Sequence, residues 1–340
     1  MCPRRSCIIL ERDLEMTAES IDVVVSEVGP RDGLQNVKRT MPTEAKNRWV
    51  AALAAAGFRE IEVASFVSPK LLPQMADAAD VVRAARTLSS FTVLALAPNL
   101  KGAERAVASG VQVISMPVSA SRAHSMANLR MTPEEAVEQV RQVRRLCDSQ
   151  PSDRPVRLEV GISTAFGCSL QGRVSESWVM ELALMVADAG AESIGLSDTA
   201  GYANPAQVKR MFIELKRELG GKAGAGHFHN TYGQGLANVV AALEAGVTTF
   251  DSSQGGLGGC PYAPGATGNV VTEDLVFLLE SMGLRTGINL ERLLAARRIL
   301  SNALPGESLY GHLPEVGLPE FFAYAGAEIA VEGPNRKSPF

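Results

Sequence analysis

Short runs of β-branched and other apolar residues alternate with helical patterns along this chain, and no other feature constrains its fold as much. Eight runs are predicted to be strands, at residues 23–27, 60–64, 92–96, 111–116, 157–162, 193–197, 223–227 and 248–252. Patterns with helical spacing lie between them, at residues 44–56, 78–87, 133–147, 176–189, 205–219 and 235–245. Because strands joined by crossover helices pair in parallel, the alternation predicts an α/β fold built on a parallel sheet.

Four of the helical patterns end in a glycine just before the next strand. The segments are AAAGFREIEV, VASGVQVISM, ADAGAESIGL and LEAGVTTFDS. A glycine at this point supplies the left-handed C-cap that turns the chain back toward the sheet. Eight such units between residues 23 and 252, with no Pro/Gly/Ser linker dividing them, favour a (β/α)8 TIM barrel over an open doubly wound sheet.

The expected organisation is a single barrel with additions at both ends. Residues 1–20 are predicted to be a disordered N-terminal extension, and residues 21–305 the TIM-barrel domain. Extra C-terminal helices at residues 273–281 and 290–303 would close the barrel and cover its outside. Residues 306–340, rich in Pro and Gly, would form a C-terminal surface tail.

The composition points to a small-molecule partner. Apolar residues make up 46% of the chain and charged residues 21%, and the net charge of −4 shows no basic excess of the kind that binds nucleic acid or an anionic membrane. Five scattered cysteines make a disulfide framework improbable. No secretory core and no run of about 18 apolar residues is present, so a cytoplasmic protein without a membrane span is expected.

Charged side chains follow the first predicted strand and lie within the second. Arg31 and Asp32 in GPRDGLQN come directly after strand one, although the same residues are also good turn formers. Glu60 and Glu62 share one face of strand two, and a carboxylate inside a barrel needs a partner. Arg31 is the obvious partner for Glu62, and a plain buried ion pair and a catalytic one both fit this pattern.

Strand seven ends in GAGHFHN, which holds two of the four histidines in the chain. Side chains two residues apart on a strand share a face, so His227 and His229 point the same way. A lone histidine here would be more typical of a structural role. Two imidazoles opposite a carboxylate such as Asp32 indicate a divalent-metal site, and Asn269 adds an oxygen donor suited to a hard cation.

A glycine-rich segment, SSQGGLGGCPYAPGATGN, follows strand eight and contains six glycines from Gly255 to Gly268. It lacks G-K-[ST] and a G-x-G-x-x-G that opens a helix, which excludes the usual phosphate and dinucleotide loops. We expect a mobile lid over the barrel mouth. Cys260 within it is either an acid, base or nucleophile, or an incidental small residue.

Five segments together resemble the 3-hydroxy-3-methylglutaryl-coenzyme A (HMG-CoA) lyases of the DRE-TIM metallolyase group. They are GPRDGLQN, SFVSPKLLPQM, APNLKG, HFHNTYGQGLAN and GLGGCPYAPGATGN, and the resemblance extends from residue 23 to about residue 303. It implies a retro-Claisen cleavage of an acyl-coenzyme A to acetyl-CoA and a ketoacid, as in leucine degradation. It also implies Mg²⁺ or Mn²⁺ bound by Asp32, His227, His229 and Asn269. A homodimer or higher homo-oligomer is expected.

The resemblance further implies roles for four other residues. Arg31 would steady the enolate oxygen of the departing acetyl thioester, and Glu62 would hold Arg31 in place. Cys260 would reprotonate the enolate carbon. Asp198 in LSDTAG would be a polar partner near the substrate hydroxyl.

Two departures from the family pattern lie where the acyl group should bind. Where these lyases commonly have Ser-Glu before a phenylalanine, this chain reads SASRAHSMANL, which places Arg122 and His124 on the loop after strand four. Asn230 in HFHNTYGQ replaces an acidic residue. Arg122, His124 and Gln35 are therefore expected to contact substrate, and we predict an acyl preference that differs from that of the parent lyases.

Two other functions are compatible with parts of the pattern. A condensing acyltransferase of the isopropylmalate or citramalate synthase type shares the Arg-Asp and H-x-H elements, but such enzymes usually carry a long C-terminal regulatory region and lack GLGGCPYA. A non-catalytic barrel that serves as a binding protein would be expected to have lost some of the site residues. The sequence therefore favours the lyase.

Overall fold

Eight parallel strands close into a barrel in the computed structural model, which describes residues 21–258 and 268–327. Each strand pairs with its neighbours in sequence, and β8 pairs with β1 to complete the ring. The strands are β1 Val24–Glu27, β2 Glu60–Ser65, β3 Thr92–Leu96, β4 Val113–Ser119, β5 Arg157–Ser163, β6 Ser193–Asp198, β7 Ala223–Phe228 and β8 Thr249–Ser252. The predicted TIM barrel is confirmed.

Helices surround the barrel and continue past its last strand. They are α1 Thr43–Ala56, α2 Ala78–Ala85, α3 Leu100–Ala108, α4 Arg122–Leu129, α5 Pro133–Asp148, α6 Glu176–Asp188, α7 Pro205–Leu219, α8 Gly235–Glu244, α9 Thr272–Ser281, α10 Leu290–Ala303 and α11 Leu313–Val316. The two extra helices expected after the barrel are α9 and α10, which confirms that part of the prediction. Of the helices described, none is both long and apolar enough to cross a membrane.

The glycines predicted to cap helices all adopt left-handed backbone conformations. Gly57, Gly110, Gly190 and Gly246 have φ angles of 110°, 91°, 100° and 85°. At Gly57 a Cβ atom would lie 2.1 Å from the carbonyl oxygen of Gly287, so a side chain is excluded by space as well as by conformation. Each of these glycines turns the chain from a helix into the next strand, which is why the repeat could be recognised in the sequence.

The structure differs from the sequence-based prediction mainly around β4. This strand begins at Val113 and runs to Ser119, beyond the predicted end at residue 116. Helix α4 then follows where a loop was expected, because Ser121 caps it and accepts a hydrogen bond from the backbone N–H of His124 at 3.2 Å. Arg122 and His124 therefore lie on the first turn of a helix.

The described part of the C-terminal segment lies against α9 and α10. Tyr324 donates a hydrogen bond to Glu291 at 2.7 Å, and the ring of Phe322 packs 5.4 Å from that of Phe277 on α9. These contacts hold this part of the segment against the outer helices, whereas Tyr310 donates its backbone N–H to the carbonyl of Gly255, just after β8, at 2.8 Å.

Candidate active site

A cleft of about 960 Å³ opens at the carboxyl ends of the strands. Its wall includes Arg31, Asp32, His227, His229 and Asp251, together with residues from the segments after β2 and β3 and from α4. In a barrel of this kind the carboxyl ends of the strands are where substrates bind. The candidate residues from strands one and seven thus converge on one cavity.

A single turn of π-helix, Gly29–Gly33, carries Arg31 and Asp32 away from β1. Pro30 lies within its first two positions, and the carbonyl of Val28 accepts the backbone N–H of Asp32 at 2.7 Å. Glu27 accepts the N–H of Gly29 at 2.8 Å, which fixes the entry to the turn. Such turns are rare and occur often at functional sites.

Arg31 is held between two carboxylates. Its Nε donates to Glu62 Oε2 at 2.5 Å, and its Nη1 donates to Asp32 Oδ1 at 2.6 Å. All three side chains are buried or nearly so, and Arg31 still lines the cleft. The structure therefore brings Arg31 and Glu62 together as expected and leaves the guanidinium plane at the cavity wall.

Asp32, His227 and His229 form a three-residue cluster that could hold a metal ion. One potential ligand atom from each lies within 4.8 Å of the others. Asn269 completes the group, because its Nδ2 donates to Asp32 Oδ2 at 2.7 Å and to the carbonyl of Leu257 at 3.0 Å. Within the described ranges, the buried Asn269 Oδ1 has no hydrogen-bond partner. Two imidazoles, a carboxylate and an unsatisfied amide oxygen fit a divalent cation.

The electrostatics of the cluster favour the protonation states that ligands need at Asp32 and His229. At His227 burial lowers the pKa, but Asp251 and Asp32 outweigh burial and raise it. Burial opposes ionisation of Asp32, but Arg31 and the two histidines outweigh it and lower the pKa of Asp32 to about 2. Burial, and after it the neighbouring His227, lower the pKa of His229 to about 4. Around neutral pH Asp32 is thus a carboxylate and His229 a neutral imidazole, and these are the forms that coordinate cations.

Asp251 on β8 is a site residue that sequence reasoning missed. It lies opposite His227 in the β7–β8 register, and its Oδ2 is 3.0 Å from His227 Nδ1. A carboxylate on one ring nitrogen of a histidine orients the other nitrogen toward a ligand. Only the pairing register of β7 and β8 reveals this contact, and the sequence alone does not supply that register.

The three residues predicted to contact substrate lie in different places. Gln35 lines the cleft and donates to Asp32 Oδ1 at 2.6 Å. His124 lines it too, is buried, and has its Nδ1 2.6 Å from Ser119 Oγ. Arg122 points outward: its side chain is 57% exposed and forms an ion pair with Glu134 at 2.7 Å. The structure therefore brings Gln35 and His124 to the site, and it does not bring Arg122.

Asp198 is not part of the cluster that could hold a metal. Asp198 is fully buried at the end of β6, where its two oxygens accept the backbone N–H groups of Tyr202 and Ala203 at 2.8 and 3.1 Å. Burial raises the pKa of Asp198 to about 6. Its neighbours Ser197 and Thr199 line the cleft, so Asp198 shapes the loop behind the wall. Cys260 lies outside the described residues.

Three cationic side chains, Lys101, Arg105 and Arg130, line the same cleft. The Arg105 guanidinium lies 5.5 Å from the ring centroid of Phe66, which keeps it oriented by a cation–π contact. Arg130 ends α4 in a left-handed conformation with φ of 57°, which is uncommon for a residue with a side chain. This side of the cleft is suited to an anionic group.

Comparison with known proteins gives concordant matches. The family model described as HMGL-like matches residues 22–300. The mitochondrial hydroxymethylglutaryl-CoA lyase of Gallus gallus is 41% identical over 282 residues, covering 83% of this chain and 93% of the relative. The hydroxymethylglutaryl-CoA lyase of Bacillus subtilis is 41% identical over 276 residues, covering 81% and 91%.

Solved structures agree with the sequence matches. An HMG-CoA lyase from Acinetobacter baumannii, in complex with coenzyme A and 3-methylmalate, has a TM-score of 0.83 and 38% identity, covering 91% of this chain and 99% of that one. The hydroxymethylglutaryl-CoA lyase from Pseudomonas aeruginosa has a TM-score of 0.81 and 40% identity, with 87% and 97% covered. The similarity thus extends over most of the chain, including the barrel.

Proposed function

This chain belongs to the HMGL-like family, and from that premise we propose that its cleft binds a 3-hydroxyacyl-coenzyme A and cleaves a carbon–carbon bond in it. The reaction class is that of the HMG-CoA lyases, to which the chain is about 40% identical over most of its length. With HMG-CoA the products would be acetyl-CoA and acetoacetate. The same similarity decides against the condensing synthase and the non-catalytic barrel considered from the sequence.

The observation that carries this proposal is that a cluster suited to a cation and a buried arginine lie in the same cleft. Asp32, His227 and His229 form the cluster suited to a cation, and Arg31 lies beside Asp32. A retro-Claisen cleavage needs one group that helps to remove a proton from a tertiary alcohol and another that stabilises an enolate. The geometry supplies both within one cavity.

Asp32, His227, His229 and Asn269 would hold Mg²⁺ or Mn²⁺. When bound, the cation supplies positive charge that lowers the pKa of the substrate hydroxyl. Asp251 orients His227, and Gln35 and Asn269 orient Asp32 through the hydrogen bonds described above. These residues fix the ligands before any substrate arrives.

Arg31 would act on the acetyl thioester, which leaves as an enolate when the carbon–carbon bond breaks. A base in the cleft takes the hydroxyl proton, the ketone forms as the carbon–carbon bond breaks, and the bonding pair becomes the enolate of the acetyl thioester. The guanidinium, fixed by Glu62 and Asp32, stabilises the enolate oxygen. Cys260, two residues after Gly258 in the sequence, would return a proton to the enolate carbon and complete acetyl-CoA.

The rest of the cleft accommodates the two ends of the substrate. Lys101, Arg105 and Arg130 form the cationic side that would pair with the phosphates of coenzyme A. His124 and Gln35 lie where they can contact the acyl group. Asp198 would act indirectly, through the loop that carries Thr199. Self-association and a cytoplasmic location stay predictions from the sequence.

The test is a product assay with the purified full chain. The protein with Mg²⁺ is incubated with a panel of 3-hydroxyacyl-CoA esters that includes HMG-CoA, and acetyl-CoA and the ketoacid are measured by mass spectrometry. We expect equal amounts of both products from HMG-CoA or a close homologue. Failure to release acetyl-CoA from every ester would contradict the proposed function.

A further inference from the structure

A second, smaller cavity of about 60 Å³ lies inside the barrel and adjoins the cleft. Arg31, Ser197, His227 and Asp251 line both cavities. Branched apolar side chains usually fill a barrel interior of this kind. Here nine of the fifteen lining residues are polar or charged, and they include Ser26, Glu62, Ser115, Glu159 and Ser193.

Glu62 presents an unsatisfied oxygen in this wall. Its Oε2 accepts from Arg31, whereas Oε1 is buried and has no hydrogen-bond partner among the residues that the structure describes. The residue is only 2% exposed. A buried carboxylate oxygen without a partner destabilises the fold, and a bound hydrogen-bond donor would offset that cost. A cavity of 60 Å³ is large enough for internal water.

Glu159 on β5 is the second carboxyl group in the same wall, and its charge state suits it to donate. Burial, and then the nearby Glu60, raises the pKa of Glu159 to about 7, against the opposing effect of Arg157. Asp251 and Glu62 are the other acidic groups that act on it, in the same direction. A carboxyl group that keeps its proton near neutral pH can donate a hydrogen bond as well as accept one.

We propose that this cavity is an internal water site and that Glu159 is a positioning residue for both halves of the reaction. Water there bridges the carboxyl groups of Glu62, Glu159 and Asp251. Glu62 holds Arg31, and Asp251 holds His227, so one buried network sets the positions of the enolate-stabilising arginine and a metal-binding histidine. The inference rests on the proposed function for the roles of these two residues.

Glu60 provides a matched control because it shares a partner with Glu159. Arg157 lies 3.5 Å from Glu159 and 3.8 Å from Glu60, but Glu60 is not part of the described cavity wall. A change at either residue alters the ion pairs at the amino-terminal end of the barrel. Only a change at Glu159 alters the polar lining of the cavity.

The experiment combines crystallography with metal titration of the full chain. Wild type should show ordered water in the cavity at high resolution, Glu159→Gln should retain it, and Glu159→Leu should lose it. The affinity for Mn²⁺ alone is measured by calorimetry, and Glu159→Leu should bind Mn²⁺ about 3- to 10-fold more weakly than wild type. This loss is at or below the low end expected for residues that contact the metal ligands directly. Glu159→Gln and Glu60→Gln should stay within about 2-fold of wild type.

Two results would overturn the proposal. One is a wild-type cavity without ordered water, and the other is a loss of Mn²⁺ affinity in Glu60→Gln as large as in Glu159→Leu. If Glu159→Leu does not fold, Glu159→Val takes its place in the titration, with the same expected loss of Mn²⁺ affinity. Neither readout requires turnover, so a protein that shows the water and binds Mn²⁺ but cleaves no ester would contradict the proposed function alone.

Discussion

At the residue scale, the candidate site depends on the hydrogen-bond partners of its charged side chains. Arg31 contacts Glu62 and Asp32, and Asp32 in turn contacts Gln35 and Asn269. The alternation of side chains along β2 was enough to predict the pair of Arg31 and Glu62. The question left open by the sequence, whether that pair is structural or catalytic, is answered in part by location, because Arg31 also lines the cleft.

Replacing Arg31 by lysine should separate the catalytic role from the structural one. An ammonium group keeps the charge but cannot present a planar pair of donors to Glu62 and the enolate. We expect kcat for HMG-CoA cleavage to fall by about 10²–10³-fold, with smaller changes in KM and in Mn²⁺ affinity. Unchanged turnover in Arg31→Lys would mean that the arginine only balances the charge of Glu62.

Asp251→Asn tests the contact that the sequence did not reveal. The asparagine keeps the size of the side chain but removes the negative charge beside His227 Nδ1, which makes the imidazole a weaker ligand. Mn²⁺ affinity, measured by calorimetry, should fall about 10-fold or more. The control is Asp188→Asn, which alters a carboxylate that is 81% exposed on α6. Equal affinities in the two variants would show that Asp251 does not act through the metal site.

At the element scale, most of the barrel could be read from the sequence and α4 could not. Repeated glycine caps and apolar periodicity predict the strands and helices because each is a local property. Helix α4 has only eight residues, and its first turn depends on the cap at Ser121 and on packing beside β4. This local difference is what turned Arg122 outward and His124 into the cleft.

Substitutions in α4 should therefore affect substrate preference on the face that lines the cleft and not on the exposed face. His124→Phe changes both the shape and the polarity of the cleft wall, and we expect the ratio of kcat/KM for HMG-CoA to that for a longer 3-hydroxyacyl-CoA to change by about 10-fold or more. Arg122→Ala, at an exposed position two residues away, should leave the ratio within about 2-fold. Competition assays with the two esters measure both. A larger effect at Arg122 than at His124 would contradict the placement of these side chains.

At the scale of the whole molecule, Glu27 links the first strand of the barrel to the segments that follow its last strand. Its carboxyl group accepts the backbone N–H groups of Gly29 and Gln254 at 2.8 and 2.9 Å and the hydroxyl of Thr272 at 2.7 Å. It therefore ties the end of β1 to the segments on either side of residues 259–267. Sequence reasoning singled out Arg31 and Asp32 but gave no role to Glu27, because two of its three partners are more than 220 residues away in the chain.

The burial of Glu27 makes a prediction about stability and pH. Burial raises its pKa to about 8, so the folded state keeps a proton that the unfolded chain releases above about pH 4.5. The stability that Glu27 contributes is then fully present below about pH 4.5 and is lost as the pH rises toward 8, by up to about 5 kcal/mol. Glu27→Gln cannot ionise. Its melting temperature relative to wild type should rise between pH 5.5 and pH 8.5.

Thermal denaturation across that pH range is the measurement, and Glu181→Gln, at an exposed position on α6, is the control. The control should follow the wild-type curve at every pH. Parallel curves for Glu27→Gln and wild type would show that Glu27 is ionised in the folded protein throughout this range.

The central claim, a lyase that depends on a divalent metal held by Asp32, His227, His229 and Asn269, is tested most directly by removing and restoring the metal. Acetyl-CoA release from HMG-CoA is measured for wild type and His229→Ala, each stripped with a chelator and then supplied with Mn²⁺ or Mg²⁺. The account predicts that stripped wild type is inactive and regains activity with the metal, and that His229→Ala does not at the same metal concentration. Undiminished release by the stripped wild type, or full recovery by His229→Ala, would contradict it.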